Sequence, residues 1–165
     1  MKVKEYFKAL TIMHFALVLG QLFFMLVAIF LSLSGNINGE LNDMRNLFLI
    51  IVAFVTLAGV YGGNFIYNKQ LEAVKQKKDY KQQFTDVKAL IITRLALLEA
   101  PSFLAIVFYI LTGSWMFLIF VLLVVMLFLK LKPNKEKIIS ELELSEEIKK
   151  LLENPETIIS YDTEN

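Results

Sequence analysis

Glu99, Arg94 and Pro101 are the residues of this chain whose types and setting bear most directly on chemistry. They stand in Lys88-Ala-Leu-Ile-Ile-Thr-Arg-Leu-Ala-Leu-Leu-Glu-Ala-Pro-Ser-Phe-Leu104, the opening of an apolar segment long enough to cross a bilayer. A charged group at such depth is costly, so it faces a protein interior or a cavity and often marks an ion or proton path. A lone carboxyl there has two uses. Held neutral, it is a hydrogen-bonding group between helices; titrating, it carries a proton or a cation. Arg94 and Glu99 are five residues apart, about 140° around a helix, so they make no in-helix pair. Arg94 is expected to snorkel, laying its stem along apolar surface with its head towards the headgroups. Pro101 lacks a backbone donor, which is expected to loosen the helix and free carbonyls to line a small cavity.

The elements that position these residues follow from composition. Of 165 residues, 56% are hydrophobic and the mean hydropathy is +0.58, against about 45–50% apolar residues in an ordinary soluble domain. The excess is concentrated in four runs. These predict an all-α, integral membrane four-helix bundle over 1–132, with spans TM1 9–33, TM2 47–67, TM3 89–112 and TM4 115–131. A short helical amphipathic tail, 133–165, follows. The N-terminal MKVKEYFK has the charge of a signal-peptide basic region. The run behind it, about 25 residues, exceeds the roughly 7–15 of a signal core, so a retained transmembrane helix is expected. Ser34–Arg45 reads as a short exposed loop. TM2 is expected to continue as a helix into the polar stretch Asn68–Lys88, and Gly113-Ser114 makes a tight turn. Gly59 and Gly63, four apart, have the spacing that lets helix backbones approach closely in lipid. TM4, lacking any polar stripe, is expected to be the most lipid-exposed helix.

Lysine placement sets the expected topology. Lys2, Lys4 and Lys8 precede TM1, six lysines lie in Lys69–Lys88, and six more lie at or beyond the end of TM4, against Arg45 alone in the first loop. By the positive-inside rule both termini and the middle loop are cytoplasmic. In the tail, Lys135–Leu142 and Ser145–Leu152 are amphipathic. Ser145 is the N-cap candidate of the second stretch, with Glu146 and Glu147 in its first turn and Pro155 as its stop. The tail either lies against the cytoplasmic face or docks a soluble partner; its last residues, SYDTEN, are expected to be disordered.

TM1 laid on TM3 at an offset of eighty matches Lys8-Ala9-Leu10 with Lys88-Ala89-Leu90, Ala16-Leu17 with Ala96-Leu97, and Phe23, Val27 and Leu31 with Phe103, Val107 and Leu111. The internal repeat predicts two parallel hairpins related by an axis along the membrane normal, an arrangement found among transporters. At about 1.5 Å per residue, His14, Asn64 and Arg94 fall in the cytoplasmic half, with Tyr61 and Glu99 deeper. A closed bundle would gather His14, Gln21, Tyr61, Asn64, Arg94 and Glu99 into one polar pocket, the candidate ion site. The plainer reading makes His14 a structural histidine and Asn64 and Gln21 interhelical hydrogen bonds, each worth about 1 kcal/mol or less.

Ala96-Leu97-Leu98-Glu99-Ala100-Pro101, preceded by a small-residue helix and a polar loop, faintly resembles the proteolipid c subunits of rotary ATPases, over about forty residues. That resemblance implies that Glu99 is the ion-carrying carboxylate. TM1 and TM4 lack the glycine-rich face of such rings, and the middle loop lacks their Arg-Gln-Pro signature. As a whole, the chain resembles the small, uncharacterised four-helix inner-membrane proteins of bacteria, which implies a multi-pass inner-membrane location. No cysteine and one histidine exclude disulfides, thiolate sites and multi-histidine metal sites. With no paired carboxylates, phosphate loop or nucleophile elbow, no enzyme and no cofactor are expected. The partners expected are the lipid bilayer and a homo-oligomer or membrane complex. The basic middle loop suits anionic lipid rather than nucleic acid.

Overall fold

Apolar side chains offer the backbone no hydrogen-bond partners, so apolar runs of this length close their main-chain bonds internally as helices. The computed structural model describes residues 1–35 and 39–161. These form α1 (Val3–Leu33), a 3-10 turn (Asn42–Met44), α2 (Arg45–Lys75), α3 (Tyr80–Thr112), α4 (Met116–Lys130), α5 (Lys135–Glu141) and α6 (Glu146–Leu151). Part of the loop expected over Ser34–Arg45, residues 36–38, lies outside the described residues. Among the described residues, three helices are long and apolar enough to cross a membrane. A fourth crossing requires α4 and α5, which meet at a 73° bend, to count as one broken span. With 15 residues, α4 alone reaches about 22 Å, short of the roughly 30 Å hydrocarbon core. The fold is therefore a helical bundle compatible with a membrane, with its fourth helix cut short.

α3 is the hub. It packs on α2 most extensively, then on α4 and α1. α1 lays one stripe, which includes Tyr6, Leu10, His14, Val18, Gln21 and Ala28, against α3 and α4. Tyr6 pairs with Phe84 and Phe24 with Phe103, so α1 and α3 run parallel with a register of 78 or 79 residues. α1 and α2 have no interface of comparable extent, so the two hairpins expected from the repeat are not equivalent. The tight turn at Gly113, left-handed at φ 67°, keeps α4 on α3. The longer first loop lets α2 settle on another side of α3, away from α1.

The expectation that α4 is the most outward-facing helix is also corrected. It buries Phe117, Leu118, Val121, Val124, Val125 and Phe128 between α1 and α3, whereas α2, twice as long, buries only Val52, Gly63, Tyr67, Leu71 and Val74. A helix apolar on every side carries no mark distinguishing lipid from core. Outward on α1 and α2 lie rows of large apolar side chains such as Leu19, Phe23, Phe30, Ile50, Phe54 and Leu57. So large an apolar exterior is foreign to a water-soluble monomer.

The tail does not hang free. α5 and α6 form where expected; Asn134 caps α5 by accepting the Glu136 amide at 3.1 Å, while Ser145 stands at the α6 N-cap without a side-chain bond. Ile138, Leu142, Leu144, Leu152 and Ile159 are buried. The tail then runs antiparallel to the N-terminus. Val3 N–H donates to the Thr157 carbonyl at 2.9 Å, Ile159 N–H to Met1 at 3.0 Å, and the Met1 amino group to Ser160 at 2.8 Å. Ser160 and Tyr161 are thus ordered, contrary to expectation, because main-chain bonds hold them; residues 162–165 lie outside the described residues.

Candidate functional site

The six polar residues expected to meet in one pocket are dispersed. His14 and Gln21 are wholly buried in the α1 stripe. Neither ring nitrogen of His14 and neither amide atom of Gln21 has a hydrogen-bond partner among the described residues. The His14 ring sits among aromatics, 5.7 Å from Phe15 and 5.9 Å from Phe128. Tyr61 points outward, 71% exposed. Glu99 is half-buried and makes no hydrogen bond or ion pair with any described residue. It lies one turn before Phe103, which meets Phe24 of α1, so it is on the α1 side of α3. The α1–α3 register puts Gln21 at its level. Arg94, about 140° away around α3, faces α2 instead. That angle, legible in the spacing, is why the cluster does not close.

Pro101 leaves α3 unbroken from Tyr80 to Thr112. Because Pro101 has no N–H, the carbonyl of Leu97 loses its usual donor four residues on. That oxygen, expected from the sequence to line a cavity, is packed against α2 instead. Gly59 of α2 covers it so closely that a Cβ there would lie 2.6 Å from the oxygen. Gly63, one turn further on, passes Arg94, whose Cγ would lie 3.7 Å from an added Cβ. Gly59 thus lets α2 reach the orphaned carbonyl, whereas Gly63 would admit a Cβ beside the arginine stem at ordinary contact distance.

What assembles instead is a site around Arg94. Its guanidinium carbon lies 4.9 Å over the Tyr67 ring, a cation–π contact. The Tyr67 hydroxyl donates to Glu141 of α5 at 2.6 Å. Arg94, Tyr67 and Glu141 thereby join α3 and α2 to the tail. Arg94 Nε is buried without a hydrogen-bond partner, and no ion pair involves Arg94 or Lys130 among the described residues. Both line a cavity of about 180 Å³ between α2, α3 and α4. Gly59, Val60, Leu98 and Leu127 form its apolar wall, and Asn64 adds an amide. A smaller cleft under α5 shares Arg94 and Leu131 with it. Sequence reasoning missed Lys130, Tyr67 and Glu141. Lys130 closes an apolar run and reads only as a topology charge, and Glu141 is brought in by the bend after α4.

Outside the apolar segments, charge fastens the tail. Lys2 pairs with Glu156 at 2.5 Å and Lys75 with Glu143 at 2.8 Å. These bonds hold both carboxyls below their ordinary range and both ammonium groups above theirs. Asp79 is lowered by the Tyr161 hydroxyl, which donates at 2.5 Å, and by the Lys81 amide it accepts as the N-cap of α3.

Among the described residues, no group of three His, Cys, Asp or Glu side chains could hold a metal ion. The fold defines a class, a helical bundle with three or four apolar helices of membrane-spanning character. No protein-family model, curated protein or solved structure matches the chain.

Proposed function

We propose that this chain is a non-enzymatic, multi-pass protein of a bacterial inner membrane, of structural or accessory type, with both termini cytoplasmic. The lysines before α1, between α2 and α3, and after α4 support that orientation. The carrying observation is that the candidate ion-site residues do not converge. Glu99 faces the α1 side with only Gln21 of the six at its level, while Arg94 and Asn64 turn to a cavity on the far side of α3. The tail is spent on the bundle's own N-terminus and on the ends of α2 and α3, as a self-contained cap would be. Its outer surface remains for a homo-oligomer or a membrane-complex partner.

A second reading, a proton- or ion-coupled carrier or proteolipid-like subunit, has one observation in its favour. The Glu99 carboxyl lies within an apolar helix, has no partner among the described residues, and is level with the Gln21 amide, which has none among them either. The test uses purified protein in lipid vesicles with a trapped pH dye. The structural reading expects no proton flux above that of empty vesicles, and Glu99→Gln as stable as the parent. Flux that disappears in Glu99→Gln would replace it with the carrier. Carbodiimide labelling of Glu99 that fades with rising pH would show a titrating, lipid-accessible carboxyl and point the same way.

A further inference from the structure

We infer that the cavity between α2, α3 and α4 binds the headgroup of an anionic phospholipid, with Arg94 and Lys130 on its phosphate. This rests on reading the apolar helices as membrane spans.

Three observations converge. First, the two cations have no anionic partner among the described residues; the carboxylate of the adjoining cleft, Glu141, already accepts the Tyr67 hydroxyl and lies 3.9 Å from Lys137. Second, the wall behind them is apolar, through Gly59, Val60, Leu98 and Leu127, and about one turn deeper Leu57, three residues before Val60 on α2, and Met126, four before Lys130 on α4, are exposed. A free anion has no use for that wall, whereas an acyl chain does. Third, α4 stops early. Arg94 lies six residues inside Lys88, about 9 Å along the axis, and the last helical residue of α4, Lys130, lines the same cavity. The short helix therefore leaves a notch at the basic end of the bundle, deep enough for a headgroup and walled for its chain. Basic pockets between membrane helices recognise anionic headgroups in this way.

The experiment is native mass spectrometry of the full chain released from detergent, titrated with phosphatidylglycerol or phosphatidylcholine. One phosphatidylglycerol should bind well ahead of phosphatidylcholine. Lys130→Gln, at an exposed and unpaired position, should weaken that first binding about fivefold. Arg94→Gln/Lys130→Gln should weaken it about thirtyfold, while Lys78→Gln leaves it unchanged. Equal binding of the two lipids, or a preference untouched by Lys130→Gln, overturns the inference. So does displacement of the lipid by millimolar inorganic phosphate, which would mark a site for free anions. Resistance of vesicle-bound chain to alkaline carbonate tests the spans separately. Extraction by carbonate would refute the membrane reading itself, and retention without lipid preference only the site.

Discussion

A methyl group at Gly59 probes the α2–α3 contact on which the bundle depends. In Gly59→Ala the new Cβ would lie 2.6 Å from the Leu97 oxygen and 3.6 Å from Pro101 Cγ, where ordinary contact begins near 3.4 Å. α2 must retreat by about 0.8 Å, or the carbonyl must tilt, in the most extensive interface of the fold. Overpacking of this kind costs about 1–3 kcal/mol. Alanine returns roughly 0.5–1 kcal/mol as the better helix former. Gly62→Ala receives the same return and meets nothing within 4 Å, so the difference between the two variants isolates the clash. It should be about 1–3 kcal/mol, some five- to 150-fold in the unfolding constant. Reversible unfolding in mixed micelles of rising SDS fraction, followed by helical circular dichroism, measures it. Gly63→Ala, whose nearest contact is 3.5 Å, should resemble Gly62→Ala. Pro101→Ala restores the N–H that draws the Leu97 carbonyl back along α3, so the Gly59→Ala/Pro101→Ala double variant should lose less than the sum of its parts. A Gly59→Ala stability within about 0.5 kcal/mol of Gly62→Ala would refute the close approach, and additivity of the double variant would refute the role given to the proline.

Three further outcomes follow from the tail and the α1 stripe. Ile159→Ala, at a wholly buried position, should cost about 2–5 kcal/mol of tail docking; limited proteolysis should then cut near 155–161 while the helical signal of α1–α3 persists, and unchanged resistance would contradict the packing. The carboxyls of Asp79, Glu143 and Glu156 are held low by their tail contacts, so their contribution is complete above their ordinary values of 3.8 and 4.5 and is lost as pH falls through the lowered ones. Amide exchange at Val3 and Ile159, corrected for intrinsic rate, should therefore accelerate in acid. The raised Lys2 and Lys75 give up their share only as pH climbs past 10.5, and flat protection into strong acid would dismiss these ion pairs as fasteners. Gln21→Leu removes a buried amide without partners among the described residues and should raise stability in the SDS titration by about 1–3 kcal/mol; a fall would mean that the amide has a partner in the folded protein.

The helices were legible because each apolar run is long enough to demand one, although α1, α2 and α3 extend six to nine residues beyond their runs into polar flanks. Gly59, Gly63 and Pro101 were each visible as small or donor-less residues, but their joint use was not. That the carbonyl freed by Pro101 is the one Gly59 covers depends on the rotation of α2 against α3, which no run of Leu, Val and Phe encodes. The same blindness misplaced α4, since lipid and core ask for the same residues and only packing separates them. The polar pocket failed for a reason already present in the spacing. Depth along the axis was used to gather Glu99 with Arg94, while the angle between them sends one to α1 and the other to α2. The Arg94–Lys130 cavity needed a further fact, the early end of α4 and its bend into α5, which brings a terminal lysine level with an arginine well inside the span. In an apolar bundle, then, a sequence gives axial position closely and azimuth poorly, and a site built from two helices depends on azimuth.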